Sequence, residues 1–441
     1  MSYSAAINEL NAMAPELYTR PGQPRRKFSL DEVRILLSAL GDPHRHIRSL
    51  LIAGTNGKGS TAATLASILT ASGVRAGLYT SPHLERVNER VRIDLTEIAD
   101  DAFARLYFRV HDVAQKLVSE GRLPQHPSFF EILTAQALVY FAEEKVELAV
   151  LEVGMGGRLD ATNVVDPLLS IITDISLDHT EWLGSTITAI TREKAGILRR
   201  NGTLITLPQH PEANQVLGEA INELNLRRVE AEAYVPPKGA DTAASYSVEL
   251  MGATVKVASP LPGAHQHRNV ALAIAAAVEL ASAHGFPITP ASIAQGIQQT
   301  RWPGRIERFE SGGVHWILDV AHNAAGTWAL RSGLSGLLSE NHPRLLVFSC
   351  LRDKPLAEMA QILFPLFDQV IFAPIHSARA TPTEEMEAAA RTTATSTLSA
   401  GSVREALQLA SEHGHGGTVV VSGSVYLVGE VRSLLLSGGI I

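Results

Sequence analysis

Only one cysteine, Cys350, occurs in the 441-residue chain. That scarcity excludes a disulfide framework and a cysteine-rich metal site, and it fits a reducing compartment, so the sequence points to the cytoplasm. A long apolar run is missing as well. The most apolar stretch, Val270–Ala283, is alanine-rich, interrupted by Glu279, and shorter than the ~20 residues needed to cross a bilayer. Met1–Arg20 carries Glu9 and Glu16 and has no basic stretch leading into an apolar core, so it does not read as a signal peptide. Nor does charge of one sign dominate: the net charge is −7 and the pI about 6.2, which argues against nucleic acid as a partner. Any anionic substrate must be met by local positive charge. There is no internal repeat and no long low-complexity segment. These absences leave a soluble protein long enough for two or three domains.

What is present begins with Gly54-Thr55-Asn56-Gly57-Lys58-Gly59-Ser60-Thr61, set between the apolar run Leu50–Ala53 and a helical pattern over Ala62–Leu69. A strand, a glycine-rich turn with a lysine, and a helix opening on hydroxyls make a phosphate cradle. Glycines let backbone N–H groups converge on phosphate oxygens, the helix N-terminus adds positive potential, and Lys58 supplies a mobile charge. Ser60 or Thr61 is placed to reach a magnesium ion. The spacing departs from G-x-x-x-x-G-K-[ST], because only Thr55 and Asn56 separate Gly54 from Gly57 and Gly59 sits between Lys58 and Ser60. The bland alternative is an exposed turn that binds nothing, but three glycines, a lysine and two hydroxyls with the correct flanks disfavour it.

Strand-like runs at Leu50–Ala53, Val74–Thr80, Leu148–Val153, Leu168–Thr173 and Thr203–Leu207 alternate with helical segments. That pattern predicts an α/β fold with a mostly parallel sheet and flanking helices. Short antiparallel strands are expected around Tyr246–Val257, then helices at Asn269–Ala283 and Thr289–Gln299. Arg301-Trp302-Pro303-Gly304-Arg305 reads as a linker. A second, smaller Rossmann-like α/β series follows, with strands at Val314–Val320, Arg344–Ser349, Gln369–Ala373 and Thr418–Ser422. Its helices are expected at Thr327–Leu338, Leu356–Leu363, Glu384–Ala390, Val403–Glu412 and Val425–Leu435. The expected domains are 1–300 and 301–441.

Polar residues follow several of the strands of the first domain, where open parallel sheets bind ligands. Ser81, after Val74–Thr80, is a metal candidate or a cap. Glu152 ends an apolar strand, where a carboxylate is costly unless a cation holds it, and magnesium takes one or two carboxylates beside phosphate oxygens and waters. Its alternative is an ion pair with Arg158. His179 offers an imidazole, with Asp174 or Asp178 to orient it. Lys194 lies in a short helical segment as a phosphate contact or surface pair. Arg305, on the linker, suits a γ-phosphate or acyl phosphate, and Asp319 and His322 stand at the end of the second domain's first expected strand.

These motifs, with Ser81-Pro82-His83-Leu84, Ser128-Phe129-Phe130-Glu131, Glu152-Val153-Gly154, Gly157-Arg158-Leu159-Asp160-Ala161-Thr162-Asn163, Asp178-His179, Arg192–Ile197, Gly304–Glu307 and Asp319–Asn323, resemble folylpolyglutamate synthase. The resemblance includes its bifunctional dihydrofolate synthase form, within the muramyl-ligase-like ATP-dependent amide-bond ligases. Ser349–Pro355 and Ser422-Gly423-Ser424 extend it towards the C-terminus.

The resemblance implies phosphorylation of a pteroate or folate carboxylate by ATP, then attack by the amine of L-glutamate on the acyl phosphate. It implies ATP contacts at Thr55, Asn56, Gly57, Lys58, Gly59, Ser60, Asn269, Arg305 and Asp319. Ser81, Glu152, His179 and Lys194 would hold two magnesium ions, Lys194 as a carbamate. Ser128, Phe129, Phe130, Glu131, Leu159, Asp160 and Ala161 would face the pterin substrate, while His322 and Ser422 would seat glutamate. Lys58, Lys194 and His322 are the expected catalytic groups. Dihydropteroate, reduced folates and L-glutamate are the expected partners of a monomer.

Two positions depart from the family pattern. Val320 and Ala324 replace residues of an Asp-Gly-Ala-His-Asn-Pro turn, and Lys27-Phe28-Ser29-Leu30-Asp31-Glu32-Val33 stands in place of a Gly-Leu-Glu-Arg-like stretch. A muramyl-peptide ligase would need a UDP-sugar domain, and only about 50 residues precede the phosphate loop, against about 100 for a typical domain. A switch ATPase would need the loop but neither the grouped Glu152, His179 and Lys194 nor Asp319.

Overall fold

A computed structural model describes residues 2–13, 29–237, 245–338 and 343–438. Lys27 and Phe28 of the departing N-terminal stretch lie outside the described residues, as do the first residue and much of the segment up to Arg20. The first sheet is built from β1 (Ser49–Ala53), β2 (Ala76–Tyr79), β3 (Val91–Ile93), β4 (Thr96–Glu97), β5 (Leu148–Glu152), β6 (Leu169–Ile172), β7 (Thr203–Thr206) and β8 (Arg227–Glu230). Its order is β4-β3-β2-β5-β1-β6-β7-β8, parallel from β2 through β8, with the β3–β4 hairpin antiparallel at one edge.

β1 shows why such a strand reads as an unbroken apolar run. Leu51 and Ala53 enter the core on one face of the sheet, whereas Leu50 and Ile52 enter the core on the other. Both faces are covered by helices, so no position needs a polar side chain. The phosphate helix Lys58–Ala71 lies on the second face with Ala264–His284 and Pro290–Gln299. Phe129–Glu143, Asp100–Ser119 and the N-terminal helix Tyr3–Ala12 cover the first. With β5 on one side of β1 and β6 on the other, the crevice at their carboxyl ends falls beside the glycine-rich turn.

The expected antiparallel pair is β9 (Tyr246–Leu250) and β10 (Ala253–Val257), joined by Met251 and Gly252 at φ +49° and +81°. Two positive-φ residues give a turn whose twist matches the strands. The helix expected from Asn269 begins instead at Ala264, released by Gly263 at φ +102°, so His265–Asn269 occupy its first turns.

The second sheet contains β11 (Glu307–Ser311), β12 (Val314–Leu318), β13 (Arg344–Phe348), β14 (Gln369–Phe372), β15 (Ser396–Ser399) and β16 (Thr418–Ser422), ordered β11-β12-β16-β13-β14-β15. Only β11 runs antiparallel. Asp319 and His322 therefore follow the second strand of this sheet, not its first. β11 escapes a reading by apolar runs because it is a charged edge strand, Glu-Arg-Phe-Glu-Ser, and β8 and β15 are polar edges for the same reason. The helix expected over Thr327–Leu338 spans Ala324–Leu334, capped by the Asn323 side chain, which accepts from Gly326 N–H. No helix among the described residues is long and apolar enough to cross a membrane.

Candidate active site

The turn after β1 is tied to the turn after β6. Thr55 and Asn56 N–H both donate to Asp174 O, at 2.9 and 3.2 Å, and Thr55 Oγ1 donates to Ser176 O at 3.0 Å. Gly57, at φ +89°, starts the helix on Lys58. Lys58 Nζ donates to Gly54 O (3.1 Å) and Thr55 O (3.2 Å), and Lys194 Nζ donates to the same Gly54 carbonyl at 2.7 Å. Two ammonium groups thus converge on one loop carbonyl. Burial pushes Lys194 down to about 7, with the charge of Lys58 adding to the effect.

Gly57 is fixed by contact as well as by φ, since a Cβ there would lie 2.1 Å from Asn269 Oδ1. Asn269 is held by Gln266 (2.9 Å), and its carbonyl accepts from Thr61 Oγ1 at 3.4 Å, which engages Thr61 with this helix. Gly57→Ala is expected to weaken a nonhydrolysable ATP analogue by about 5–30-fold, from about 1–2 kcal/mol of backbone strain alone. Titration calorimetry would show it, and an affinity within about twofold of wild type would contradict the role given to Gly57.

At the end of β5, Glu152 accepts from Ser81 N–H at 3.2 Å. Burial pushes its pKa above the ordinary glutamate value, opposed by Lys58, the Ser81 N–H, Arg305 and Arg90. The alternative partner of Glu152, Arg158, pairs instead with Glu193 at 2.9 Å. Asp174 holds Arg268 through both carboxylate oxygens, so it is Asp178 that stands beside His179, at 3.9 Å. Burial lowers His179 to about 4, leaving a neutral imidazole at pH 7.

Asp178 is the junction between the two sheets. Its Oδ1 accepts from Lys354 Nζ at 2.7 Å, and its Oδ2 accepts from Asn323 Nδ2 at 3.1 Å and lies 3.9 Å from His322 Nε2. Burial alone would raise Asp178, but His179, Lys354 and His322 hold it well below the usual carboxylate range. Asn323 also exchanges amide hydrogen bonds with Asn56 (3.2 and 3.1 Å), so the second unit touches the phosphate turn directly. Sequence alone assigns no role to Lys354 or Asn323; the available signals were the turn Ser349–Pro355 after β13 for the first and the Asp319–Asn323 motif for the second.

Arg305 donates to Gly304 O at 3.0 Å and is half-buried near Asp319 and Glu152, its charged form disfavoured by desolvation and favoured by those two carboxylates. Asp319 accepts from Ile306 N–H (3.0 Å) and Ala321 N–H (2.9 Å). Ile306 sits at φ +49°, a costly conformation for a β-branched residue, which these bonds hold in place. Trp302 presses on the phosphate helix, where a Cβ on Gly59 would come within 3.0 Å of the indole, and Arg92 lies 5.6 Å over the Trp302 ring.

A cleft of about 660 Å³ opens between the two sheets. Ser128, Phe129, Phe130, Glu131, Leu159, Asp160 and Ala161 all line it, together with Ser81, His179 and His322. Ser128 and Glu131 also cap the helix Phe129–Glu143 reciprocally, which places both rings at the cleft. Asp160 accepts from Met155 N–H and from Thr162, stapling the glycine turn. Arg90 lies 5.0 Å over the Phe129 ring and donates to His83 Nδ1, a histidine pushed down to about 3 by burial and by Arg90. Ser422 is buried and donates to Ala321 O, while its neighbours Gly423 and Ser424 line the cleft.

Among the described residues no three His, Cys, Asp or Glu side chains form a ready-made metal cage. The oxygen donors Ser81 and Glu152 are of the type magnesium takes, since it keeps waters and substrate phosphates and needs few protein ligands, whereas the His179 imidazole is a softer donor.

Residues 52–277 match the Mur ligase middle domain and residues 304–425 the Mur ligase glutamate ligase domain. Fold, cleft and phosphate turn thus define a ligase of the Mur type. Folylpolyglutamate synthase of Lacticaseibacillus casei is 35% identical over 94% of this chain and 96% of its own length. The dihydrofolate synthase/folylpolyglutamate synthase of Bacillus subtilis is 33% identical over 93% of this chain and 95% of its own. Mycobacterium tuberculosis folylpolyglutamate synthase complexed with ADP superimposes with a TM-score of 0.87 at 30% identity, covering 98% of each chain. The chain belongs to the folylpolyglutamate synthase family.

Proposed function

We propose that this protein is an ATP-dependent ligase that adds L-glutamate to dihydropteroate, to tetrahydrofolate (poly)glutamates, or to both, through an acyl phosphate. The family match along nearly the whole chain supports folate–glutamate ligation, as does the Escherichia coli FolC structure in complex with DHPP and ADP, matched over 100% of this chain at 28% identity and a TM-score of 0.83. The observation that carries the reading is the hydrogen-bonded junction in which the second unit's Asn323 and Lys354 meet the phosphate turn and Asp178, with Lys354 also lining the cleft.

In this reading Thr55–Ser60, Asn269, Arg305 and Asp319 receive the nucleotide, with Arg305 placed between Glu152 and Asp319 to meet phosphate charge. Magnesium, held by Ser81, Glu152, His179 and a carbamate on Lys194, would supply neutralisation of the triphosphate. A Lys194 amine near 7 is unprotonated often enough to take up carbon dioxide, unlike an ordinary lysine. Phe129 and Phe130 offer flat apolar faces for a pterin ring. His322, which lines the cleft and is kept neutral at pH 7 by burial and Lys354, would in this reading take a proton from the glutamate amine. We assign residues 1–300 to nucleotide and folate binding and 301–441 to glutamate, in a cytoplasmic monomer.

Purified protein with magnesium and ATP is expected to release ADP only when glutamate and either dihydropteroate or a reduced folate are both present. ADP release indifferent to these substrates would sink the ligase reading and favour a nucleotide switch. Comparing the two acceptors side by side separates a bifunctional enzyme from a monofunctional folylpolyglutamate synthase.

A further inference from the structure

Away from the cleft, one arginine joins three distant parts of the chain. Arg432, on the last helix, Val425–Leu436, donates through Nε to both oxygens of Glu307 (3.1 and 3.0 Å) and through Nη1 to Glu85. All three side chains are only about one-fifth exposed, at 19%, 22% and 22%, so solvent and salt screen them weakly. Each belongs to a segment that starts at the site. Glu85 follows Ser81 by four residues, Glu307 follows Arg305 by two, and the helix bearing Arg432 opens at Ser424 in the cleft.

The partners are themselves anchored. Glu307 Oε2 accepts from Gly304 N–H at 2.8 Å, fixing the turn that presents Arg305. The Glu89 carboxylate accepts from Leu84, Glu85 and Arg86 N–H at 2.7–2.8 Å, so the segment after Ser81 is rigid. Leu84 O then lies so near Gly429 that a Cβ there would come to 1.9 Å from it. A carboxylate from the first unit, one from the start of β11 just after the linker and a guanidinium from the last helix thus meet at one point.

We propose that Arg432 is a positioning residue for the ligation reaction: by clamping Glu85 and Glu307 together it sets Ser81 and Arg305 at the separation the reaction requires. This rests on the ligase reading above. Arg432→Met is expected to lower kcat for glutamate-dependent ADP release about 2–30-fold, the range of a 0.5–2 kcal/mol coupling. KM for the folate acceptor, whose proposed contacts Ser128–Glu131 and Leu159–Ala161 all belong to the first unit, is expected to change less. Arg432→Lys restores part of the rate, and Glu85→Gln adds little to Arg432→Met because the clamp is already broken. Amide hydrogen exchange gives a readout independent of turnover: Gly304 N–H is expected to exchange faster in Arg432→Met while the N–H groups capped by Glu89 stay protected. Unchanged kcat in a variant with faster Gly304 exchange would overturn the role in the reaction, and unchanged exchange would overturn the clamp. A wild-type protein without glutamate-dependent turnover would instead reject the ligase reading, leaving exchange to judge the clamp alone.

Discussion

Lys194→Ala is expected to lower turnover by about 10²–10³-fold, the usual loss when one preorganised electrostatic contact to a reacting phosphate is removed. The variant should fold, because the wild-type amine is buried and disfavoured there, held by the single bond to Gly54 O that alanine gives up. Partial recovery by added short carboxylates would support a carbamate, and near-normal turnover would reject it. The same residue predicts a pH signature. Its value falls from an ordinary 10.5 when unfolded to about 7 when folded. Between those values the unfolded chain binds the extra proton, so stability rises with pH across that window, and Lys194→Ala should flatten this part of the melting-temperature profile.

Lys354→Met is expected to cost about 3 kcal/mol of stability near neutral pH, the lower end for breaking a buried ion pair, because Asn323 still donates to Asp178. Lys354 and Asp178 are 4% and 9% exposed, so water cannot replace the lost ammonium. In the wild type the Asp178 value is depressed, so its contribution is present above the ordinary carboxylate value of about 4 and lost as pH falls towards the folded value. In the variant the burial penalty dominates, the carboxylate takes up a proton more readily, and the deficit relative to wild type should shrink on acidification. Denaturant midpoints near neutrality and near pH 4 would register this. An equal loss at both would mean that Lys354 acts through packing alone. Adding Asp178→Asn should recover much of the loss, since it removes the stranded charge.

What the sequence made legible is local. Leu50–Ala53 with Gly54–Thr61 reads as strand, phosphate turn and helix because each signal lies within a dozen residues, and Glu152 stands out as the one carboxylate in a buried strand. β8, β11 and β15 escape a reading by apolar runs because edge strands are polar, β8 and β11 carrying charges and β15 hydroxyls, which keeps sheets from pairing further. The Asp178–Lys354 and Glu85–Arg432 pairs join residues 176 and 347 positions apart, and no spacing rule reaches that far. Ser128 and Glu131 could be quoted as a motif, but only the helix start shows that they also cap Phe129 and Phe130 into place.

The contact of Trp302 with Gly59 has an optical consequence. Of the four tryptophans, Trp316 is buried in the second sheet and Trp328 is exposed, whereas Trp182 lines the cleft and Trp302 rests on the phosphate helix under a guanidinium. Indole emission responds to the local field, so the protein carries its own fluorophores at both of the proposed substrate stations. Nucleotide and acceptor binding should be readable from intrinsic fluorescence without a label, with Trp302→Phe and Trp182→Phe assigning each signal to its source.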